Sequence, residues 1–240
     1  MLVERMSGGA PEIGEKDGIS YALFAPDGEP EAGVVILHGA GSAKESHFDY
    51  ARVCVAYGFS ALSYDARGHG RSNGAFGPGA VDDALAMLDL LRERGAPAVA
   101  LRGSSLGGFS AILAAAKDGA AAAVAAICPA PEDLLLRGFR SGRLEGFDAD
   151  VPALERWLGT EVSLRDAAAS LAPRTALLLM HAEGDEQVPY TVSQQLYEAA
   201  GRPKRLLLLP GGHHRSLQHD AEIQAESVKF IARAVRGELD

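Results

Sequence analysis

The chain has 240 residues, 47% hydrophobic and 23% charged, with 23 Lys and Arg against 32 Asp and Glu for a net charge of −9; this suits one α/β domain with a single large core spanning residues 1–240. No basic run points to nucleic acid, no apolar run approaches the roughly 18 residues of a membrane span, and the start has no apolar stretch of a secretory signal. Cys54 and Cys128 lie far apart without metal-ligand spacing, so the expectation is a reducing cytoplasm, no disulfide framework and no metal or other cofactor.

A first strand is expected at Glu12 to Lys16 and a second at Ile19 to Pro26, closed by the turn Ala-Pro-Asp-Gly-Glu-Pro. Val34-Val-Ile-Leu37 is wholly apolar, as a central parallel strand is, and runs straight into His38-Gly39-Ala40-Gly41. A helix over Glu45 to Tyr57 should end at Gly58. The next strand, Phe59 to Tyr64, leads into Asp65-Ala-Arg-Gly-His-Gly-Arg-Ser72. After Pro78-Gly79, the residues Val81, Ala84, Leu85, Leu88 and Leu91 mark one face of a helix. Short apolar strands follow at Val99 to Leu101, Ala123 to Cys128, Thr175 to Met180 and Arg205 to Leu209. Helices are expected behind Ser105, over Thr191 to Ala200, and around Val228, Ile231, Ala232 and Val235. Alternating strands and helices of this kind predict a three-layer α/β/α sandwich around a mostly parallel sheet. One segment, Pro131 to Ala172, separates two strands by far more than the usual 2–6 residues of a connection. Its apolar content, including Leu134, Leu135, Leu136, Phe139, Phe147, Leu154, Trp157 and Leu158, predicts a short helical cap over the catalytic edge.

The chemistry centres on Gly103-Ser104-Ser105-Leu106-Gly107, a G-x-S-x-G match between a strand and a helix. A nucleophile there sits on a sharp turn with its Oγ above the sheet, and only small residues fit two positions to either side. A serine hydroxyl needs a base, an acid to orient that base, and donors for the oxyanion. The acid candidate is Asp185, past the end of a buried strand, after Gly184 and before Val188-Pro189; Glu183 and Glu186 are its neighbours. The base is His213 or His214 in Pro210-Gly-Gly-His-His214, and the residues alone do not choose between them. The oxyanion donors would be the backbone N–H groups of Leu106 and Ala40. His38 should brace the oxyanion loop, His69 belongs to a tight structural turn, His181 should hydrogen-bond the Asp185 loop, and His47 and His219 are expected at or near the surface.

With these stretches in order, the chain resembles the α/β-hydrolase superfamily from about Ile19 to the C-terminus. The resemblance rests on His38-Gly-Ala-Gly41, Asp65 to Ser72, Gly103 to Gly107, and Asp185 with Pro210 to His214. It implies that His214 is the base, with His213 as the alternative. One departure is His181-Ala182 where such proteins often have His-Gly. The resemblance implies a serine hydrolase of the small bacterial esterase, serine-aminopeptidase-like or dienelactone-hydrolase-like kind, acting on a small-molecule acyl substrate. A thioesterase, peptidase or perhydrolase would use the same triad. Dehalogenases and epoxide hydrolases are disfavoured because they carry Asp where Ser105 stands. A non-catalytic ligand receptor on this scaffold would be expected to have a damaged triad, and here each element is present.

Overall fold

The computed structural model describes residues 9–239. Eight strands form one sheet: β1 (Glu12–Lys16), β2 (Ile19–Phe24), β3 (Ala32–Leu37), β4 (Phe59–Tyr64), β5 (Val99–Ser104), β6 (Ala123–Ile127), β7 (Ala176–Ala182) and β8 (Lys204–Leu209). Their order is β1-β2-β4-β3-β5-β6-β7-β8; β1 and β2 pair antiparallel, and the strands from β4 to β8 run parallel to one another. The helices are α1 (Phe48–Ala56), α2 (Ala80–Glu93), α3 (Leu106–Asp118), α4 (Glu132–Arg140), α5 (Val151–Arg156), α6 (Leu164–Ser170), α7 (Thr191–Ala199) and α8 (Ala221–Val235). This is the predicted three-layer arrangement, the α/β-hydrolase fold.

The period-two alternation of the strands sorts the core into two faces. Val35, Leu37, Leu101, Leu177 and Leu179 pack towards α2, α3 and the cap. Val34, Ile36, Ala100, Leu178 and Met180 pack towards α1 and α8. Each such fully buried large aliphatic side chain contributes roughly 1.5–3 kcal/mol relative to exposure.

Three local expectations change. The helix placed over Glu45 to Tyr57 begins as a 3₁₀ turn, Lys44–His47, before α1. The Lys44 amide there is taken by Asp65 Oδ1 at 2.8 Å, which ties the turn to the end of β4 and not to an α-helical ladder. The strand expected to stop at Leu101 continues through Arg102 and Gly103 to Ser104, because Arg102 is accommodated inside the core. The segment 131–172 holds α4, α5, a π-helical turn at Trp157–Glu161, and α6. Of these, α6 packs between α3 and α7. It therefore serves as the crossover helix that two parallel strands, β6 and β7, require.

The turn 65–72 is the bracket between sheet and cap. Asp65, fully buried, pairs with Lys44 Nζ at 2.6 Å and also accepts the Arg71 amide. Arg67 grips Asp83 of α2 with two hydrogen bonds of 2.6 and 2.5 Å. On the cap side, the Phe76 amide donates to Asp148 O and the Asp148 amide donates to Gly68 O, at 2.8 and 3.0 Å. The Phe147 ring stacks on His69 at 3.9 Å, and Trp157 meets Phe109 of α3 edge-on at 5.5 Å.

Candidate active site

Ser105 lies between β5 and α3 at φ 54°, ψ −117°, a conformation that costs a non-glycine residue about 1–3 kcal/mol. The surroundings hold it there: its amide donates to Ile127 O at 2.9 Å, and its carbonyl accepts from Phe109 and Ala130 at 3.0 and 3.3 Å. The flanking glycines have a specific steric cause. A Cβ on Gly103 would collide with the Gly107 carbonyl, and one on Gly107 would collide with the carbonyls of Leu37 and His38. The start of α3 is thus pressed against the end of β3, which brings the Leu106 amide beside the loop carrying Ala40.

Asp185 and His214 come together from the ends of β7 and β8. Asp185 Oδ2 accepts from His214 Nδ1 at 2.8 Å. Its Oδ1 accepts the amides of Gln187 and Val188 at 2.8 and 2.9 Å. Burial acts to raise its pKa, but hydrogen bonds from His181, His214 and these amides outweigh burial and hold the carboxyl far below the usual range. An ionised carboxylate only accepts, so the proton of neutral His214 sits on Nδ1, leaving Nε2 free as a base. His181, the strand-end histidine expected to brace this loop, does so. Its Nε2 donates to Val188 O at 2.9 Å and lies 3.3 Å from Asp185 Oδ2, while its Nδ1 accepts from the Ser193 hydroxyl at 2.7 Å.

Several contributors were not visible in the sequence. Glu186 accepts the His214 backbone amide at 3.1 Å, so this neighbour of Asp185 holds the histidine's main chain and not its ring. Cys128, with a positive φ of 37°, donates its thiol to the His214 carbonyl at 3.4 Å. Burial pushes that thiol's pKa well up, so it acts as a spacer and not as a nucleophile. Its sulfur, Asp185 and His214 lie close enough for their ligand atoms to surround a small cation, but the carboxylate and imidazole are already spent on each other. His213 is exposed and bonds within its own loop.

Ser105, His214 and the Gly39–Gly41 loop line one cavity, and Ser105 and His214 also line a second one beneath the cap. His38 braces the Gly39–Gly41 loop as expected. It accepts the Ala66 amide at Nε2, 3.0 Å away, and therefore donates from Nδ1 to Gly39 O at 2.8 Å. Burial, foremost, lowers its pKa and keeps it in this neutral form. His69, likewise structural, is depressed to about 4 by burial and by His38.

His47 contradicts its expected surface position: it is 0% exposed, against Arg102, also 0% exposed. Arg102 has no carboxylate partner among the described residues. Its Nη2 donates to Gln218 O at 2.9 Å, its Nη1 lies 3.2 Å from His47 Nδ1, and its guanidinium covers the Tyr50 ring at 4.2 Å. Ser104 Oγ donates to Gln218 Oε1 at 3.1 Å. The strand that leads to Ser105 and the loop carrying His214 are therefore pinned at one residue, Gln218.

The fold is that of the α/β hydrolases, shared with solved structures of that class. The model of the family described as serine aminopeptidase, S33, matches residues 28–134. YfhR of Escherichia coli O157:H7, itself uncharacterized, is 27% identical over 211 residues, covering 85% of this chain and 71% of that protein. The structure of Est1E from Butyrivibrio proteoclasticus with bound ferulic acid superposes with a TM-score of 0.74 at 23% identity, covering 94% of this chain and 99% of that one. A monoacylglycerol lipase of Paleococcus ferrophilus superposes at 0.65 and 21% identity, covering 91% and 98%. No helix among the described residues is long and apolar enough to cross a membrane.

Proposed function

We propose that the protein is a serine hydrolase that cleaves carboxylic esters of small molecules through an acyl-enzyme, acting in the cytoplasm. The observation that carries this reading is the 2.8 Å bond from His214 Nδ1 to Asp185 Oδ2 at the cavity that also holds strained Ser105. In this reading His214 Nε2 takes the Ser105 proton as Oγ attacks the carbonyl carbon. The resulting oxyanion is held by the amides of Leu106 and Ala40. His214 then gives its proton to the departing alcohol, leaving the acyl group on Ser105. Water, deprotonated by the same imidazole, breaks that ester and restores the serine. Asp185 keeps the imidazole in its working tautomer and stabilises the imidazolium. The lipase among the structural relatives supports ester chemistry, and the aminopeptidase description makes amide cleavage the competing reading. A panel of matched chromogenic esters and amino-acid anilides separates the two.

The test is a fluorophosphonate probe together with Ser105→Ala. The wild type should be labelled at Ser105. The variant should fold, escape labelling, and lose kcat by at least about 10⁴-fold. Turnover at the wild-type rate by Ser105→Ala overturns the reading.

A further inference from the structure

Two cavities meet at Ser105 and His214, and their walls differ in kind. The one under the cap, about 560 Å³, is faced by Ala130, Leu134, Leu135, Leu144 and Val188. The other, about 780 Å³, passes the Gly39–Gly41 loop and is faced by Ser42, Ser46, Arg215, Gln218 and His219. Arg143 stands where the two join and lines both. Its pairing state sets it apart from the other arginines of the apolar cavity. Arg137 is neutralised by Asp133 at 2.9 Å and Arg140 by Glu155 at 2.8 Å, whereas no carboxylate among the described residues pairs with Arg143 or Arg215. One carboxylate, Glu145, lines the polar cavity with the two guanidiniums, and another, Glu186, lines the apolar one beside His214, where it accepts the His214 amide.

We infer, resting on the hydrolase reading above, that the substrate is an ester joining an apolar acyl group to an alcohol bearing an anionic group, carboxylate or phosphate. The acyl chain occupies the cavity under the cap, and the anion lies between Arg143 and Arg215. The direction follows from the loop that bears His214. Beyond that residue it continues along the polar cavity through Arg215, Gln218 and His219, so the alcohol that takes its proton from His214 departs along this wall. A guanidinium matches the planar fork of a carboxylate or phosphate, and the charge-assisted bonds it forms are about twice as strong as neutral ones. Deeper under the cap the remaining guanidiniums, Arg137 and Arg140, already hold carboxylates, so an anion placed against the leucines there would be desolvated with little compensation.

The experiment compares kcat/KM for two matched pairs. One is 4-nitro-3-(octanoyloxy)benzoate against 2-nitrophenyl octanoate. The other is 1-octanoylglycerol 3-phosphate against 1-octanoylglycerol. We expect the anionic member to be preferred by about tenfold or more in at least one pair, corresponding to about 1.4 kcal/mol, and the favoured pair tells carboxylate from phosphate. The preference should shrink as ionic strength rises from about 0.01 to 0.15 M. It should fall towards one in Arg143→Gln and Arg215→Gln, and reverse in the double variant Arg143→Glu/Arg215→Glu. Equal rates within both pairs, or a preference that survives both glutamine variants, overturns the inference while leaving the hydrolase reading standing if Ser105 is still labelled. Absence of both labelling and turnover removes the hydrolase reading and the inference with it.

Discussion

Three acids stand within four residues, and their surroundings assign them different weights. Asp185 is fully buried at its carboxylate and bonded to two imidazoles and two amides. Asp185→Asn should keep the fold and lower kcat on the order of 10⁴-fold, because an amide that donates towards Nδ1 favours the wrong tautomer. Glu186 meets the histidine only through its backbone amide and from an exposed position, so Glu186→Gln should cost less than about tenfold, consistent with a single solvent-exposed hydrogen bond. Glu183→Gln should change ester turnover by no more than the scatter of the assay. An equal loss in all three would show that the histidine is not oriented through Asp185. At this scale the sequence was partly legible. Gly184 and Val188-Pro189 singled out Asp185 because a strand-end turn has local chemistry. The burial of Arg102 and His47 was not legible, because their partners, Gln218 O and the Tyr50 ring, come from distant parts of the chain. Charged residues are otherwise expected outside unless paired.

The strands and most helices announced themselves through continuous apolar runs and periodicity, and β4 and α1 end where the sequence places their stops, at Tyr64 and just before Gly58. Less legible was the segment between β6 and β7, where amphipathic pieces in series do not say which roofs the site and which returns the chain. The structure divides the labour. Leu134 and Leu135 of α4 line the apolar cavity, Trp157 plugs onto Phe109, and α6 makes the crossover. The cap's hold on the body is therefore aromatic as well as backbone-mediated. Trp157→Ala, at a position 5% exposed, should cost about 3–5 kcal/mol in urea denaturation. It should also alter the acyl-chain-length profile of ester turnover more than the rate on acetyl esters. A profile that keeps its shape would detach the cap from substrate selection.

Over the whole molecule, acid stability is set by a few buried carboxylates. Burial raises the pKa of Asp65, but the Lys44 ammonium and the amides of Arg71 and Lys44 overcome burial and hold it below its ordinary 3.8. Asp185 is held down in the same way. Because their folded values are depressed, both groups contribute stability above the unfolded pKa near 3.8, and that contribution is lost as pH falls through the lower folded values. Unfolding free energy should therefore vary little from these groups between about pH 5 and 7 and drop steeply below about pH 4. Asp65→Asn should lose about 3–5 kcal/mol at neutral pH, since it leaves Lys44 buried against only the exposed Glu45. Its acid-side slope should be shallower than the wild type's, and an unchanged slope would remove Asp65 from this account.

The position of β8 has a consequence for how the protein fails. Among the described strands it lies at an edge of the sheet, paired only with β7, and it is half-exposed where β5 and β7 are buried. The proposed nucleophile and acid thus hang from fully buried strands and the proposed base from the exposed margin. Opening at an edge costs less than opening at the core. The first partial unfolding would therefore separate His214 from an otherwise intact Ser105 and Asp185, and molecules could lie silent while their secondary structure persisted. Glu186 just past β7 and Cys128 just past β6 hold the histidine loop, and Gln218 of that loop is held by Ser104 and Arg102 of β5; together they act as the fasteners of that seam. They would govern working lifetime more than peak rate.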